Sequence, residues 1–284
     1  MNTHRGKADG RRRQRGFTLL EMIIAIVITG ILGGMVAVFI KGSIDAYFDA
    51  TRRAKLVETA DTTLRRIGRD LRQALPNSIA VSNSAGRFYV EYVQVKGGGR
   101  YRYAKDVGTD DELAFDAADA SFDVLGPMPA VAGGDRIVIG NLGQGSAGDV
   151  YAGNNIATVG SVSGSRVTLS AAKLFPVDSC TRDAAGRVSG CRFYVVDAPV
   201  TYECDPVNGR LRRYWGYALR TPAPAPPAGG SSADLVAAGV TDCAFAMDAV
   251  ATLTRMGIIS MRIQLSADNE HVPLFFQAHV SNVP

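Results

Sequence analysis

Residues 17–40 read FTLLEMIIAIVITGILGGMVAVFI, a run of 24 residues with a single charge, Glu21. As a helix rising 1.5 Å per residue this run spans about 36 Å, enough to cross a hydrocarbon core of about 30 Å. Just before it, Arg5, Lys7, Arg11, Arg12, Arg13 and Arg15 stand against one acid, Asp9. The first sixteen residues therefore carry +5 of a formal net charge of +4, which leaves −1 on the remainder. Positive flanks stay cytoplasmic, so the sequence beyond the run is expected on the far side of the inner membrane. Nucleic acid is not an expected partner, because that role needs basic charge on the folded body and the body here is near neutral. With 284 residues, 46% of them apolar and 20% charged, the chain is long enough to bury a core and is not disordered throughout.

A cleaved secretory signal would have an apolar stretch of about 7–15 residues followed by a small-x-small site. This run is longer, and KGSIDAYFDA after it offers no such site. A plain membrane anchor leaves two features unexplained: a carboxylate five residues into the apolar run, and a glycine that divides basic leader from apolar run. Both belong to Arg15-Gly16-Phe17-Thr18-Leu19-Leu20-Glu21, which resembles the type IV prepilin cleavage motif. The resemblance implies cleavage after Gly16 by a prepilin peptidase on the cytoplasmic side. It also implies N-methylation of Phe17 by the same enzyme and a role for Glu21, the fifth mature residue, in filament assembly.

Beyond Lys41 the sequence turns polar but keeps a helical period. Ile44, Phe48, Leu56, Ala60, Leu64, Ile67, Leu71 and Leu75 recur mostly three or four apart, which places them on one face. The charges between them, from Arg52 through Glu58, Asp61 and Arg65 to Asp70 and Arg72, read as a solvated face. Pro76 disfavours helical geometry in the residue before it. Residues 17–75 are thus expected to form one helix, about 88 Å long. Gly30 and Gly34 form a small-xxx-small pair that permits close helix approach, or simply weaken the helix there.

After Pro76 the period changes from near four to two. Residues 87–95, 112–115, 135–142, 166–169, 191–196, 200–204, 210–219, 257–265 and 273–280 alternate and are split by Gly, Asp and Asn, the pattern of antiparallel sheet. Nine glycines between Gly133 and Gly164 favour turns and loops, and TPAPAPPAGGSS (221–232) reads as a surface loop within the head. The fold class expected is α+β: a long N-terminal helix, first transmembrane and then amphipathic, packed on a head rich in antiparallel sheet.

Cys180, Cys191, Cys204 and Cys243 form no C-x-x-C and all lie in the part assigned outside the cytoplasm, where thiols oxidise. Of three connectivities the local one, 180–191 with 204–243, is favoured, because TRDAAGRVSG between the first pair suits a hairpin loop. No catalytic constellation emerges, and neither enzyme activity, a cofactor nor a metal is expected. Gly143-Gln144-Gly145-Ser146-Ala147-Gly148 spells a dinucleotide-type pattern, but no helical period follows it, so it reads as a flexible loop. Ser146 fails the G-x-S-x-G pattern of a nucleophile elbow, because Gln144 stands where that pattern requires glycine. His4, His271 and His279 have no partner at metal-ligand spacing, and the acidic stretches 109–113 and 116–123 lack the calcium-loop pattern. Trp215, between Tyr214 and Tyr217, reads as core or sheet-face packing.

Further stretches resemble the O-type minor pilins of MSHA-type type IV pili: LRQALPNS (71–78), SFDVLGP (121–127), VDAPVTYEC (196–204), LRRYWGY (211–217) and the tail HVSNVP (279–284). The segment with Cys180 and Cys191 looks like an addition to that pattern. The resemblance implies a cleaved leader over 1–16, a transmembrane and filament-core helix over 17–40, an amphipathic continuation over 41–75 and a periplasmic head over 76–284. It implies as partners the prepilin peptidase and N-methyltransferase, other major and minor pilins, and inner-membrane lipid. Two alternatives stand beside it: a J-type pseudopilin of a type II secretion system, which begins the same way, and an adhesin or anchored enzyme on a pilin stem.

Overall fold

A computed structural model describes residues 16–283 except 107, 109, 221, 223–231, 248–255 and 269. The basic leader up to Arg15 and most of the proline-rich stretch therefore lie outside the described residues. The chain divides into two units, Met1–Arg52 and Arg53–Pro284, each taken by itself below.

Helix α1 (Leu19–Arg72) contributes to both units. In the first unit its apolar side chains are exposed along the whole run, from Leu19 and Leu20 to Phe39 and Ile40. In the second unit Ala60, Thr63, Leu64, Ile67, Gly68 and Leu71 are buried at alternating spacings of three and one, a stripe along one face. Burying a Leu or Ile such as Leu64, Ile67 or Leu71 contributes about 2 kcal/mol each. The helix ends at Arg72 rather than Leu75 because the sheet captures the last residues. The Leu75 amide donates to the Val93 carbonyl at 2.8 Å, and the Val95 amide donates to the Gln73 carbonyl at 3.0 Å.

The strands follow in chain order as β1 (Ala80–Ser84), β2 (Arg87–Tyr101), β3 (Asp119–Leu125), β4 (Arg136–Val138), β5 (Ile156–Ser163), β6 (Arg166–Lys173), β7 (Thr181–Arg182), β8 (Val188–Ser189), β9 (Arg192–Asp205), β10 (Arg210–Trp215), β11 (Ser232–Ala238), β12 (Val240–Met247), β13 (Met256–Ala267) and β14 (Glu270–Ser281). Every pairing among them is antiparallel. Two long strands, β2 and β9, organise the head. Their ladder runs from Phe88 opposite Cys204 to Arg100 opposite Arg192. One half of it joins β1, β10 and β11 and packs on the buried face of α1, together with the separate sheet β12–β13–β14. The contact is close: a Cβ on Gly68 would lie 2.6 Å from Cε1 of Phe276 in β14, so a larger residue there would have to displace that ring. Cys204 of β9 is bonded to Cys243 of β12, which links the two sheets covalently through the core.

The other half of the β2–β9 ladder closes a ring. β2 pairs with β3, β3 with β6, β6 with β5, β5 with β4, β4 with β9, and β9 with β2. The interior of so small a ring is filled by side chains rather than left as a channel. Tyr101, Phe122, Ile137, Val167, Phe175 and Phe193 are fully buried within it, and the Phe122 and Phe193 rings meet edge to face with centroids 5.4 Å apart. Gly99 is placed by this packing: a Cβ there would come within 2.7 Å of the Phe193 ring. The short hairpin β7–β8 stands on the ring, clamped by the Cys180–Cys191 disulfide.

Three sequence expectations are corrected. Residues 112–115 alternate in sequence and bury Leu113, but they form no strand. They run as a loop in which the Leu113 amide donates to the Arg102 carbonyl and the Ala114 amide to Asp119 Oδ2. The strand expected over 135–142 stops at Val138, because the side chain of Asn141 takes over the local hydrogen bonding, donating to the Pro76 carbonyl at 2.7 Å and accepting from the Val150 amide at 3.0 Å. Residues 191–196 and 200–204 belong to one strand. Irregular register between Val93 and Gly97 in β2 lets the ladder pass Pro199, which has no amide to donate.

Candidate functional site

Gly16, Phe17 and Thr18 precede the helix in non-helical backbone, and Phe17 is 81% exposed. Apart from its chain neighbours, no atom of the described residues lies within 4 Å of where a Gly16 Cβ would stand. Thr18 is the cap of α1. Its hydroxyl oxygen accepts the Glu21 amide at 3.2 Å, and its carbonyl accepts the Met22 amide at 3.1 Å. Thr18 and Glu21 have the spacing of a capping box, and the Glu21 carboxylate lies in the first turn, where the helix dipole favours negative charge. This cap went unnoticed in the sequence, although Thr-x-x-Glu before an apolar run was the signal for it. The helix that follows is long and apolar enough to cross a membrane.

Three features converge at the N-terminus: an exposed junction at Gly16–Phe17, a capped helix start, and one carboxylate at Glu21 ahead of an apolar span. Over residues 11–37 the sequence matches the family model described as the prokaryotic N-terminal methylation motif. The motif indicates a type IV pilin-like or pseudopilin-like chain. No curated protein and no solved structure matches it. For a pilin-like chain the motif implies processing by a prepilin peptidase, anchoring in a membrane and assembly with other pilins.

In the second unit the head is held on its helix by a polar lock. Asp70 was assigned to the solvated face, yet its Oδ2 accepts from the Tyr202 hydroxyl at 2.7 Å, from Arg213 Nε at 3.2 Å and from the Tyr92 hydroxyl at 3.4 Å. Arg213 in turn lies over the Trp215 ring, 5.3 Å from its centroid. Burial, and after it the Asp70 charge, pushes both tyrosine hydroxyls well above their ordinary range, so they remain donors. Both face the helix because residues 90 and 92 of β2 and 200, 202 and 204 of β9 alternate onto that side.

The opposite face of the same strands holds a buried acidic row. Glu91 accepts from Thr201 Oγ1 at 3.0 Å and from Arg220 at 3.2 Å, and Glu203 accepts from the Tyr214 hydroxyl at 2.7 Å. Burial raises the Glu91 carboxyl above its usual range, and Arg220 opposes that shift. Arg87 bridges Glu203 and Asp205 at the sheet edge.

The remaining candidates fall out as follows. Gly143–Gly148 form a loop tied back on itself, with Ser146 Oγ donating to the Gly143 carbonyl at 2.6 Å. His271 and His279 are exposed on β14, and His4 lies outside the described residues. Among the described residues no group of three or more His, Cys, Asp or Glu is placed to hold a metal ion.

Proposed function

We propose that the chain is a minor pilin of an MSHA-type type IV pilus, cleaved between Gly16 and Phe17, methylated on Phe17 and then assembled with other pilins. In this reading residues 1–16 are a cytoplasmic leader, 17–40 the membrane span and filament core, 41–75 its amphipathic continuation, and 76–284 a head in the periplasm and later in the pilus. The observation that carries it is the methylation motif at the capped start of an apolar helix in a chain whose head is antiparallel sheet. The two disulfides suit an oxidising compartment. The stretches that resemble minor pilins include parts of β9, β10 and β14 around the helix-packed sheet, and the Cys180–Cys191 addition sits on the ring.

Glu21 has a defined task in this scheme. An ionised carboxylate in hydrocarbon costs several kcal/mol unless paired, less near the interface. Between Phe17 and Ile40 there is no basic residue, and Lys41 is twenty positions on, about 30 Å along the helix. Cleavage creates the missing cation, the amine of Phe17, which stays charged after one methylation. In staggered helices Glu21 of one subunit meets that amine on its neighbour, and the pair sets the axial register.

N-terminal mass spectrometry of membrane-extracted protein tests the processing: a methylated Phe17 is expected, and an intact Met1 or a cut beyond Ile40 rejects it. Glu21→Gln is expected to be inserted and cleaved normally but to be depleted from sheared pili, and assembly equal to wild type would refute the pairing. Co-purifying pilins identify the system. Pilus subunits support the minor-pilin reading, whereas secretion pseudopilins would assign the chain to the J-type instead.

A further inference from the structure

Most arginines of the ring are neutralised. Arg102 pairs with Asp106 and Asp110, Arg166 with Asp111 and Asp123, Arg182 with Asp178, and Arg187 with Asp183. Arg136 donates to the Asp197 carbonyl at 3.0 Å. Arg100 of β2 and Arg192 of β9 differ: both are exposed, and neither guanidinium has an acceptor among the described residues. They also stand directly opposite each other in the ladder.

The hydrogen-bond pattern shows how near they are. The next pair along is bonded, Tyr101 donating its amide to the Cys191 carbonyl at 3.2 Å, and the Arg192 amide turns away to Ser179 Oγ at 2.9 Å. Arg100 and Arg192 are therefore a non-hydrogen-bonded pair, the kind whose Cα atoms approach to about 4.5 Å with the side chains closest. Like charges so placed repel, and here no carboxylate relieves them.

Beside Arg100 opens a cavity of 320 Å³. That is within the range of about 300–1,000 Å³ typical of small-ligand sites, which favour the mouths of barrels. Arg100, Arg102, Tyr103, Leu125 and Val188 are among the residues that line it, as is Asp106, whose carboxylate is paired with Arg102. Its β8 wall is fixed in advance, because the Cys180–Cys191 disulfide clamps the hairpin and Tyr101 bonds Cys180 Sγ from below at 3.3 Å.

Two unneutralised guanidinium forks suit a carboxylate or sulfate, which they can hold through paired hydrogen bonds. The wall of Tyr103, Leu125 and Val188 offers nothing to a bare inorganic anion but matches the C–H face of a sugar ring. Arg182 already lies over the Tyr103 ring, 5.7 Å from its centroid, so that ring is a poor platform for a nucleobase. We infer that Arg100 and Arg192, with the adjoining cavity, form a binding site for an acidic saccharide bearing a carboxylate or sulfate. The site stands independently of the pilus reading.

Titration calorimetry of the full chain in detergent at low salt tests this, with trigalacturonate, a sulfated galactobiose, neutral galactotriose, inorganic phosphate and an oligothymidylate as probes. At least one acidic saccharide is expected to bind about tenfold or more tighter than galactotriose or phosphate, and to weaken as salt rises. Arg100→Gln and Arg192→Gln should each weaken it about tenfold. Their thermal midpoints should not fall, because both side chains are exposed and bond nothing among the described residues. Arg53→Gln, on the helix, should bind as wild type. The inference is overturned if neither acidic saccharide binds, if galactotriose or phosphate binds as well, if the oligothymidylate binds more tightly, or if the double variant binds like wild type.

Discussion

Replacing Asp70 with Ala tests whether the polar lock, and not apolar packing alone, holds the head on the helix. Three donors converge on one carboxylate oxygen, at 2.7, 3.2 and 3.4 Å. Hydrogen bonds to a charged group contribute about 1.5–3 kcal/mol each, and the longest of the three adds little. Asp70 and Arg213 retain 24% and 15% side-chain exposure, so water takes up part of the loss. Weighing these, Asp70→Ala should cost about 3 kcal/mol and Asp70→Asn, which keeps an acceptor, about half of that. Denaturant unfolding of the full chain in detergent, followed by fluorescence, measures it. Trp215 is the single tryptophan and stacks on Arg213, so it also reports release of the arginine in the folded state. Tyr202→Phe in both backgrounds should give a coupling near 1 kcal/mol with Asp70→Ala. If Asp70→Ala unfolds within about 0.5 kcal/mol of wild type, the lock contributes nothing and the reasoning fails.

Removing Cys204 and Cys243 together, as Ala, should cost about 4 kcal/mol by loop entropy against about 3 kcal/mol for Cys180 and Cys191, from sequence separations of 39 and 11; equal unfolding midpoints for the two double variants would contradict this order. Glu91 has a raised folded pKa, so it contributes most stability when protonated and that contribution is lost as pH rises from the ordinary carboxylate range through the raised value. Glu91→Gln cannot titrate and should therefore gain on wild type in that window, whereas a difference in unfolding free energy that stays flat from pH 4 to pH 8 would refute the shift.

Helix α1 and the long strands were legible because each carries one period over many residues, and Leu64, Ile67 and Leu71 are buried as their spacing requires. The methylation motif was legible because Gly16, Phe17 and Glu21 lie close together in sequence. What was not legible depends on pairing at a distance. Alternation over 112–115 reports that Leu113 is buried, but one buried side chain does not require a ladder partner. The acidic stretch ending at Asp123 concealed β3, because Asp123 pairs with Arg166, forty-three positions on. Asp70 looked solvated for the same reason: its partners come from β2, β9 and β10, and no local window contains them. The two unneutralised arginines become visible only once the register sets Arg100 against Arg192.

Strands β2 and β9 belong to both the sheet over the helix and the closed ring. Neither region has its own pair of central strands, so neither can open alone. Melting the ring frays the ladder that carries Tyr92 and Tyr202, and peeling the sheet from the helix removes two of the six staves of the ring. A head loaded by shear or by solvent would therefore yield as one cooperative block, with the ring lending its closure to the surface that grips the helix.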